Sequence, residues 1–243
     1  LLSGCSMTIR RGQPWGVILI GPAGLWLVAS AVLTEQARAK INLALHVLGR
    51  RGDGYHEIDS IVAFANVGDT LRFSPAPAAF TLTADGPFAG DLPAAGCNII
   101  TRARRQVAEI AAGRGKRLPA VAVHLTKNLP VASGIGGGSA NAAAAMRGFL
   151  RLAGIAGLDD EIMAAALTLG ADVPVCLKGV ACRMQGVGER ISPLDGFEPG
   201  AMALVNPRVA VATADIFKRL GLSPGEHFAA PISDVMDCAA WRN

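Results

Sequence analysis

The chain has 243 residues, of which 51% are hydrophobic and 17% are charged. This composition excludes an intrinsically disordered protein and leaves room for one large core or two modest ones. The net charge of +4, from 23 basic and 19 acidic residues, is too small to indicate a nucleic-acid partner. Five cysteines without a CxxC pair and four histidines without an HExxH pattern predict reduced thiols, a cytoplasmic location and no zinc site.

Apolar alternation, turn-forming residues and helix caps predict a mixed series of strands and helices. In chain order, strands are predicted over 37–47, 57–65, 70–74, 80–84, 121–127, 173–177, 180–184 and 201–205, and helices over 98–112, 142–152, 160–169, 213–220 and 232–241. Asp159 is the expected cap of the third helix, and Gly170 is its expected end. Strands come first and helices later without a strict βαβ repeat, so we expect an α+β fold with helices on one side of the sheet.

A charge-free apolar run from Trp15 to Leu33 follows Arg10 and Arg11. It has three interpretations: a secretory signal peptide, a membrane span, or sequence translated upstream of the true start. Pro22 and three glycines interrupt the run, and the preference for arginine over lysine is typical of GC-rich coding DNA, which favours the third interpretation. Residues 1–31 are therefore expected to lie outside the folded domain, and no membrane partner is expected.

The segment LPVASGIGGGSANAA, from Leu129 to Ala143, is the most informative stretch of the sequence. A predicted strand precedes it and a predicted helix follows, so its glycines stand at a helix N-terminus, where unpaired N–H groups favour a phosphate. It lacks the Gly-Lys of a P-loop, and Ser139 stands where the dinucleotide-binding pattern has its last glycine. The segment predicts a loop for a nucleoside triphosphate; the alternative is a glycine-rich turn without a ligand.

Three further features carry polar groups suited to phosphoryl transfer. Lys40 and Asn42 are two residues apart in the first predicted strand and share one face. Asp172 follows a helix end, and Tyr55 and His56 lie in a predicted turn. A kinase needs a triphosphate cradle, a positive charge and a group that accepts the hydroxyl proton. Each feature also has a structural interpretation: a solvated strand lysine, a capping aspartate and a hairpin corner.

Four segments then identify a family: ARAKINLALHVLGRRGDGYHEIDSI, LPVASGIGGGSANAAA, LGADVPVCLKG and QGVGERISPL. Together they resemble the 4-diphosphocytidyl-2-C-methyl-D-erythritol kinases of the GHMP kinase superfamily. The resemblance implies an α+β, two-domain GHMP kinase fold. Residues 32–182 would form the ATP-binding domain, which is similar to domain 2 of ribosomal protein S5. Residues 183–243 would form an incomplete C-terminal α/β domain, because family members continue beyond this point with a second glycine-rich motif.

The resemblance implies transfer of the ATP γ-phosphate to the 2-hydroxyl of a cytidine diphosphate methylerythritol, a step in the non-mevalonate route to isoprenoid precursors. Asp172 would be the general base and Lys40 its charged partner. The implied ATP loop comprises Pro130, Val131, Ala132, Ser133, Gly134, Ile135, Gly136, Gly137, Gly138, Ser139 and Ala140. The implied substrate-binding residues are Asn42, Tyr55, His56, Thr213 and Phe217, with Tyr55 and Phe217 on opposite sides of the cytosine. The implied cofactors are ATP and Mg²⁺, with Ser139 as a candidate near the metal.

Three alternatives stay open at this point. The chain could be another small-molecule GHMP kinase, acting on homoserine or mevalonate, but those substrates carry no base to stack against Tyr55, His56 and Phe217. It could be a non-catalytic remnant, because the second glycine motif is not in the sequence. A membrane-anchored protein is supported by the apolar run at Trp15–Leu33 alone.

Overall fold

The structure is a computed structural model that describes residues 18–20, 26–28, 32–206 and 213–236. Two short strands, β1 (Ile18–Ile20) and β2 (Trp26–Val28), pair in antiparallel orientation. The remaining elements are β3 (Leu33–Arg50), β4 (His56–Pro75), β5 (Thr81–Asp85), α1 (Ile99–Gly113), β6 (Val121–Thr126), α2 (Gly137–Leu152), α3 (Asp160–Leu169), α4 (Val173–Lys178), β7 (Cys182–Gly186), β8 (Arg190–Pro193) and α5 (Thr213–Arg219).

Strands β3 to β8 form one six-stranded sheet, and β4 is its central element. The long β3 pairs with β4 over almost its whole length, and the two make an antiparallel hairpin. On its other side, β4 pairs with β7 near the hairpin turn and with β6 near its far end, both antiparallel. β5 joins β6 in parallel, and β8 joins β7. Three bulges interrupt the register of β3 on β4, and such bulges bend a strand.

The main core lies between this sheet and helices α1 to α4. The sequence of α2 is rich in alanine, and the helix buries Ala140 and Ala142–Ala145, so its neighbours can approach closely. Gly148 of α2 makes room for Phe73, because a Cβ at this position would lie 2.3 Å from Cζ of the ring. The ring of Phe73 also meets that of Phe149 edge to face, with 5.3 Å between the centroids. The aromatic pair therefore fixes α2 on β4.

The predicted α+β fold is confirmed, and several element boundaries agree with the expected ones. α3 begins after Asp159, whose side chain accepts a hydrogen bond from the backbone N–H of Ile162 at 3.1 Å. The helix ends at Leu169, and Gly170 follows as its C-cap, as predicted. The predicted strands 57–65 and 70–74 are one continuous strand, because pairing with β3 continues through the polar residues between them.

Three element predictions are wrong. Residues 173–177, predicted as a strand, form helix α4, because Pro174 occupies the first turn of the helix, where the missing N–H is not needed. Residues 201–205 form no strand. Residues 231–236 form no helix, and the rest of the helix predicted over 232–241 lies outside the described residues. An apolar run of five residues fits a buried helix as well as a strand, which explains the first error.

The chain after α5 returns to the turn end of the β3–β4 hairpin. The backbone N–H of Phe228 donates to the carbonyl of Leu48 at 2.8 Å, and His227 forms a β-bridge with Gly49. Ile232 is buried in a small second cluster with Ala44 and Ile61 of the hairpin. The returning segment thus packs on the same hairpin that carries the predicted substrate residues. In the described part of the chain, none of the helices has the length and apolar character that a membrane crossing needs.

Candidate active site

The side chains of Lys40 and Asp172 form an ion pair, with 2.9 Å between Nζ and Oδ2. Lys40 Nζ also donates a hydrogen bond to Oδ1 of Asn42 at 3.0 Å. The two residues meet because alternate side chains of a strand lie on one face. The exposed fraction of the Lys40 side chain is 5%, against 37% for Asp172. The ammonium is therefore held inside the protein, and the carboxylate remains accessible.

Asp172 directly precedes α4, but its carboxylate does not cap the helix. The backbone of Asp172 enters the helix, since its carbonyl accepts a hydrogen bond from the N–H of Cys176 at 3.2 Å. A capping carboxylate would be turned back onto the first N–H groups of the helix. At this position the side chain instead contacts Lys40, so the helix fixes the backbone and leaves the carboxylate oxygens for other partners.

The glycine loop is attached to the same strand residue. The carbonyl of Ile135 accepts a hydrogen bond from the backbone N–H of Lys40 at 3.0 Å. Gly136 has a φ of +66°, and a Cβ at this position would lie 3.0 Å from Cβ of Lys40. Glycine is therefore required both for the left-handed conformation and for the close approach. Gly137 then begins α2, so the N–H groups of the first turn lie directly after the loop.

A cleft of about 400 Å³ opens between the glycine loop and the start of α1. Its lining residues are Leu92, Pro93, Cys97, Asn98, Ile99, Arg102, Lys127, Pro130, Val131, Ala132, Ser133, Gly134, Gly136, Gly137, Gly138, Ser139, Asn141 and Asp172. The cleft includes nine of the eleven predicted ATP-loop residues and the predicted base. The other two predicted residues do not line the cleft. The carbonyl of Ile135 accepts the hydrogen bond from Lys40, and Ala140 is buried and lines a separate cavity of about 250 Å³.

A buried ion pair that the sequence did not reveal lies beneath the loop. Lys127 Nζ is 2.6 Å from Oδ2 of Asp69, and the exposed fractions of the two side chains are 2% and 0%. The same ammonium donates to the carbonyl of Leu129, and Oδ1 of Asp69 accepts from the N–H groups of Asn128 and Leu129. The aspartate thus holds the segment that enters the glycine loop. Asp69 lies in the polar stretch between two predicted strands, so no local pattern in the sequence indicated that it is buried.

Three further cleft residues were also missed. Asn98 caps α1 by accepting a hydrogen bond from the N–H of Ile100 at 2.9 Å, which places it at the cleft wall. Arg102 lies one turn further along α1. Asn141 of α2 is buried, and its Oδ1 has no hydrogen-bond partner within the described ranges. An unpaired buried amide oxygen is unfavourable, so this atom suits a ligand that donates to it.

Tyr55, His56 and Phe217 lie at the turn end of the hairpin. The Tyr55 side chain is exposed. The rings of His56 and Phe217 are stacked on each other, with 4.7 Å between the centroids and 29° between the planes. Burial, followed by the charge of Arg50, lowers the pKa of His56 below its usual value. The side chain of Thr213 lies outside the described residues.

The predicted residues therefore fall into two groups on one hairpin. Lys40 and Asn42 meet Asp172 and the glycine loop near the middle of β3. His56 is the first residue of β4 and lies at the turn end of the hairpin, where it pairs with Arg50, the last residue of β3.

Two buried thiols lie near the ion pair of Lys40 and Asp172. Burial raises the pKa of Cys176 to about 12 and that of Cys182 to about 11. Both are free thiols that remain protonated at neutral pH, so they pack as small apolar residues rather than act as nucleophiles. No group of three or more His, Cys, Asp or Glu side chains is arranged for a metal ion among the residues that the structure describes.

Comparison with known proteins identifies the family. Residues 98–180 match the GHMP kinases N terminal domain. A 4-diphosphocytidyl-2-C-methyl-D-erythritol kinase from Bradyrhizobium sp. (strain ORS 278) is 47% identical over 218 residues, which cover 88% of this chain and 70% of the relative. The chain belongs to the 4-diphosphocytidyl-2-C-methyl-D-erythritol kinase family. The predicted membership of this family and the predicted kinase class are thus confirmed.

Solved structures agree with this assignment. The crystal structure of a 4-(cytidine 5'-diphospho)-2C-methyl-D-erythritol kinase superimposes with a TM-score of 0.54 and 36% identity, and covers 67% of this chain. The chain spans 55% of that structure. The structure of a homoserine kinase from Cytophaga hutchinsonii superimposes with a TM-score of 0.53 and 18% sequence identity. The match covers 80% of this chain and 61% of the homoserine kinase, and it shows a similarity of fold alone. The GHMP kinase fold is therefore shared beyond the 4-diphosphocytidyl-2-C-methyl-D-erythritol kinase family.

Proposed function

We propose that this chain transfers the γ-phosphate of ATP to the 2-hydroxyl of 4-diphosphocytidyl-2-C-methyl-D-erythritol, a step toward isoprenoid precursors. The ion pair of Lys40 and Asp172 at the edge of the glycine-lined cleft carries the proposal. It provides a proton acceptor and a positive charge where the cleft would present a triphosphate. The relatives are named kinases of this substrate, which supports the same acceptor here.

The cleft fits ATP in size and in chemistry. Its volume of about 400 Å³ lies within the usual range of small-molecule sites. A Cβ at Gly138 would meet no atom within 4 Å, so the loop has open space beside it for phosphate oxygens. The N–H groups of the first turn of α2, with the helix dipole, suit the negative charge. We assign Pro130–Gly134 and Gly136–Ser139, which line the cleft, to the contacts with ATP on these grounds.

Magnesium fits the same end of the cleft. Oδ1 of Asn141 is an oxygen without a hydrogen-bond partner among the described residues, and Ser139 lies two residues before it in the cleft wall. Mg²⁺ retains several waters and is bound chiefly by substrate phosphates, so a few protein oxygens suffice. We propose that Ser139 and Asn141 contact the hydrated ion. When it is bound with ATP, it neutralises part of the phosphate charge.

In the proposed reaction, the 2-hydroxyl oxygen attacks the γ-phosphorus and the bond to the β-phosphate oxygen breaks, which releases ADP. The hydroxyl proton passes to a carboxylate oxygen of Asp172. Lys40 holds that carboxylate and stabilises charge near the acceptor, while Asn42 orients Lys40 and contacts a substrate hydroxyl. Phosphoryl transfer has a loose transition state, so orientation and charge contribute more than early removal of the proton.

We further propose that the other end of the substrate binds at the hairpin turn. The stacked rings of His56 and Phe217 offer an aromatic ring face, and the exposed Tyr55 is next to His56 at the same turn. Pyrimidines gain affinity on aromatic surfaces. We include Thr213 in this subsite because of its place at the start of α5. Free thiols at Cys176 and Cys182 support a cytoplasmic location.

The test is acceptor selectivity in the full chain. ADP formation would be measured with ATP and Mg²⁺ and with 4-diphosphocytidyl-2-C-methyl-D-erythritol, homoserine or mevalonate as acceptor. We expect turnover with the cytidine compound alone, and NMR of the product should show phosphate on the 2-oxygen. Turnover with homoserine or mevalonate would contradict the proposal in favour of another GHMP kinase. Absence of turnover with all three, in protein that binds ATP, would indicate a non-catalytic chain.

A further inference from the structure

Arg50, the last residue of β3, joins the two segments that carry the aromatic side chains. Its Nε donates to the carbonyl of Gly54 at 3.3 Å, and its Nη1 donates to the carbonyl of Leu222 at 3.0 Å. Gly54 directly precedes Tyr55, and Leu222 follows the helix that carries Phe217. One guanidinium therefore spans the hairpin turn and the chain that leaves α5.

The backbone of Arg50 makes the same connection. Its N–H donates to the carbonyl of Glu226 at 2.9 Å, and its carbonyl accepts from the N–H of Gly225 at 2.6 Å. Gly49, the preceding residue, forms the β-bridge with His227. The backbone of Arg50 is thus fixed against the chain that leaves α5, and the guanidinium starts from a fixed position between the two segments.

The partners of Arg50 indicate positioning rather than charge pairing. Within the described ranges, Arg50 forms no ion pair, and its side chain donates to backbone carbonyls. A planar guanidinium can donate in two fixed directions at once, which a lysine ammonium on a flexible stem does less well. The neighbouring Arg51 differs, because it pairs with the exposed carboxylate of Asp53 at 2.9 Å.

The charge of Arg50 has a second effect on the same surface. Burial is the larger cause of the lowered pKa of His56, and the positive charge of Arg50 is the second. A neutral imidazole offers one donor and one acceptor, whereas the charged form offers only donors. The neutral form can therefore either accept a hydrogen bond from the amino group of a pyrimidine or donate one to its ring nitrogen.

We propose that Arg50 is a positioning residue for the nucleobase: it holds the hairpin turn against the end of α5, so that His56 and Phe217 form one preassembled surface. The inference rests on the proposed function, which places the cytosine on these rings. Preassembly removes an ordering cost from binding, so losing it weakens affinity at this end of the substrate. The ATP cleft lies on the glycine loop and is expected to be unaffected.

The test compares affinities for cytidine 5'-diphosphate and ADP by titration calorimetry with the full chain. Arg50→Gln is too short to reach both carbonyls, and should weaken cytidine diphosphate binding by about 10-fold, the loss of one or two net hydrogen bonds. Arg50→Lys, which can satisfy one carbonyl, should give an intermediate affinity. Arg51→Gln is the matched control and should leave both affinities unchanged. ADP affinity should stay within about twofold in every variant.

The variants His56→Ala and Phe217→Ala test the proposed base subsite itself, and Arg50→Gln tests the positioning role of Arg50. If both weaken cytidine diphosphate binding and Arg50→Gln does not, the positioning role is overturned and the base subsite stands. If neither weakens it, the subsite itself is wrong. Equal loss of cytidine diphosphate and ADP affinity in Arg50→Gln, with a lower melting temperature, would show a general structural role and would also overturn the inference.

Discussion

Lys40 contacts Asp172 through its side chain and Ile135 through its backbone N–H, at 2.9 and 3.0 Å respectively. One strand residue therefore fixes both the candidate base and the glycine loop. The backbone bond does not depend on the side chain, so substitutions at Lys40 can remove the charge and leave the loop attached. The effect of the ion pair with Asp172 can therefore be measured without breaking the backbone hydrogen bond to Ile135.

Asp172→Asn should lower kcat by about 10²- to 10⁴-fold, because an amide does not accept the hydroxyl proton. The KM for ATP should change little, since the side chain is accessible and caps no helix. Lys40→Met keeps the aliphatic stem and should also lower kcat. Single-turnover phosphate transfer at saturating ATP is the measurement. Near-normal turnover in either variant would remove that residue from the proposed mechanism.

Gly136→Ala should destabilise the loop by about 1–3 kcal/mol, because a side chain at φ +66° is strained and its Cβ would meet Lys40 at 3.0 Å. The ATP affinity should fall in parallel. Gly138→Ala is the control for stability, since a Cβ there meets nothing within 4 Å. Thermal unfolding and nucleotide titration of both variants provide the comparison. Equal unfolding free energies for the two would contradict the close-contact explanation.

The buried pair of Lys127 and Asp69 should be far more sensitive to substitution than an exposed pair. Asp69→Asn leaves an ammonium in the interior without its counter-charge, which costs about 3–5 kcal/mol. Arg190→Gln breaks the exposed pair with Glu57, which contributes less than about 1 kcal/mol. Denaturant unfolding of both variants measures the difference. A small effect at Asp69 would mean that water reaches Lys127.

The lowered pKa of Asp59 makes the free energy of unfolding depend on pH. Burial raises the pKa of Asp59, but the hydrogen bonds from Arg183 and from the N–H of Ile232, with the charge of Arg183, outweigh it and leave the pKa below its usual value. A carboxyl whose pKa is lowered by folding contributes stability above its unfolded value of about 3.9. That contribution is lost as the pH falls through the folded value.

The measurement is the difference in unfolding free energy between the native sequence and Asp59→Asn. It should be constant above about pH 5 and should shrink below about pH 4 as the native aspartate takes up a proton. A difference that does not change between pH 3 and pH 6 would show that Asp59 does not titrate with unfolding. Because Arg183 also donates to the carbonyl of Ile232, loss of the pair should release the returning segment first.

The sequence predicted correctly those helix ends that are determined by neighbouring residues in the chain. Asp159 and Gly170 delimit α3 as expected, because a cap and a stop act on their own helix. The position of the glycine loop at a helix N-terminus was also predictable, although α2 begins at Gly137, five residues earlier than the predicted start at residue 142. α4 was misread because its apolar residues are buried on every side, so their spacing carries no helical period.

Contacts between distant segments were harder to predict. Lys127 and Asp69 meet because β6 pairs with β4, and their residues carry no motif that would reveal it. The stacking of His56 on Phe217 likewise depends on how the chain after α5 returns to the hairpin. The family resemblance predicted that these aromatic residues share one substrate subsite. The role of Arg50 came from its hydrogen bonds to Gly54 and Leu222.

The pairing of β3 with β4 along almost the whole hairpin has a consequence for substrate length. The proposed phosphate-accepting end lies beside Lys40, and the proposed base lies beside Arg50, on the same strand. Because the three bulges bend β3, the span that a ligand must bridge depends on this bending as well as on the number of residues between the two positions. Adding two residues to each strand would keep every side chain on its face and move the two proposed ends apart, so we expect hairpin length to limit the size of the acceptor.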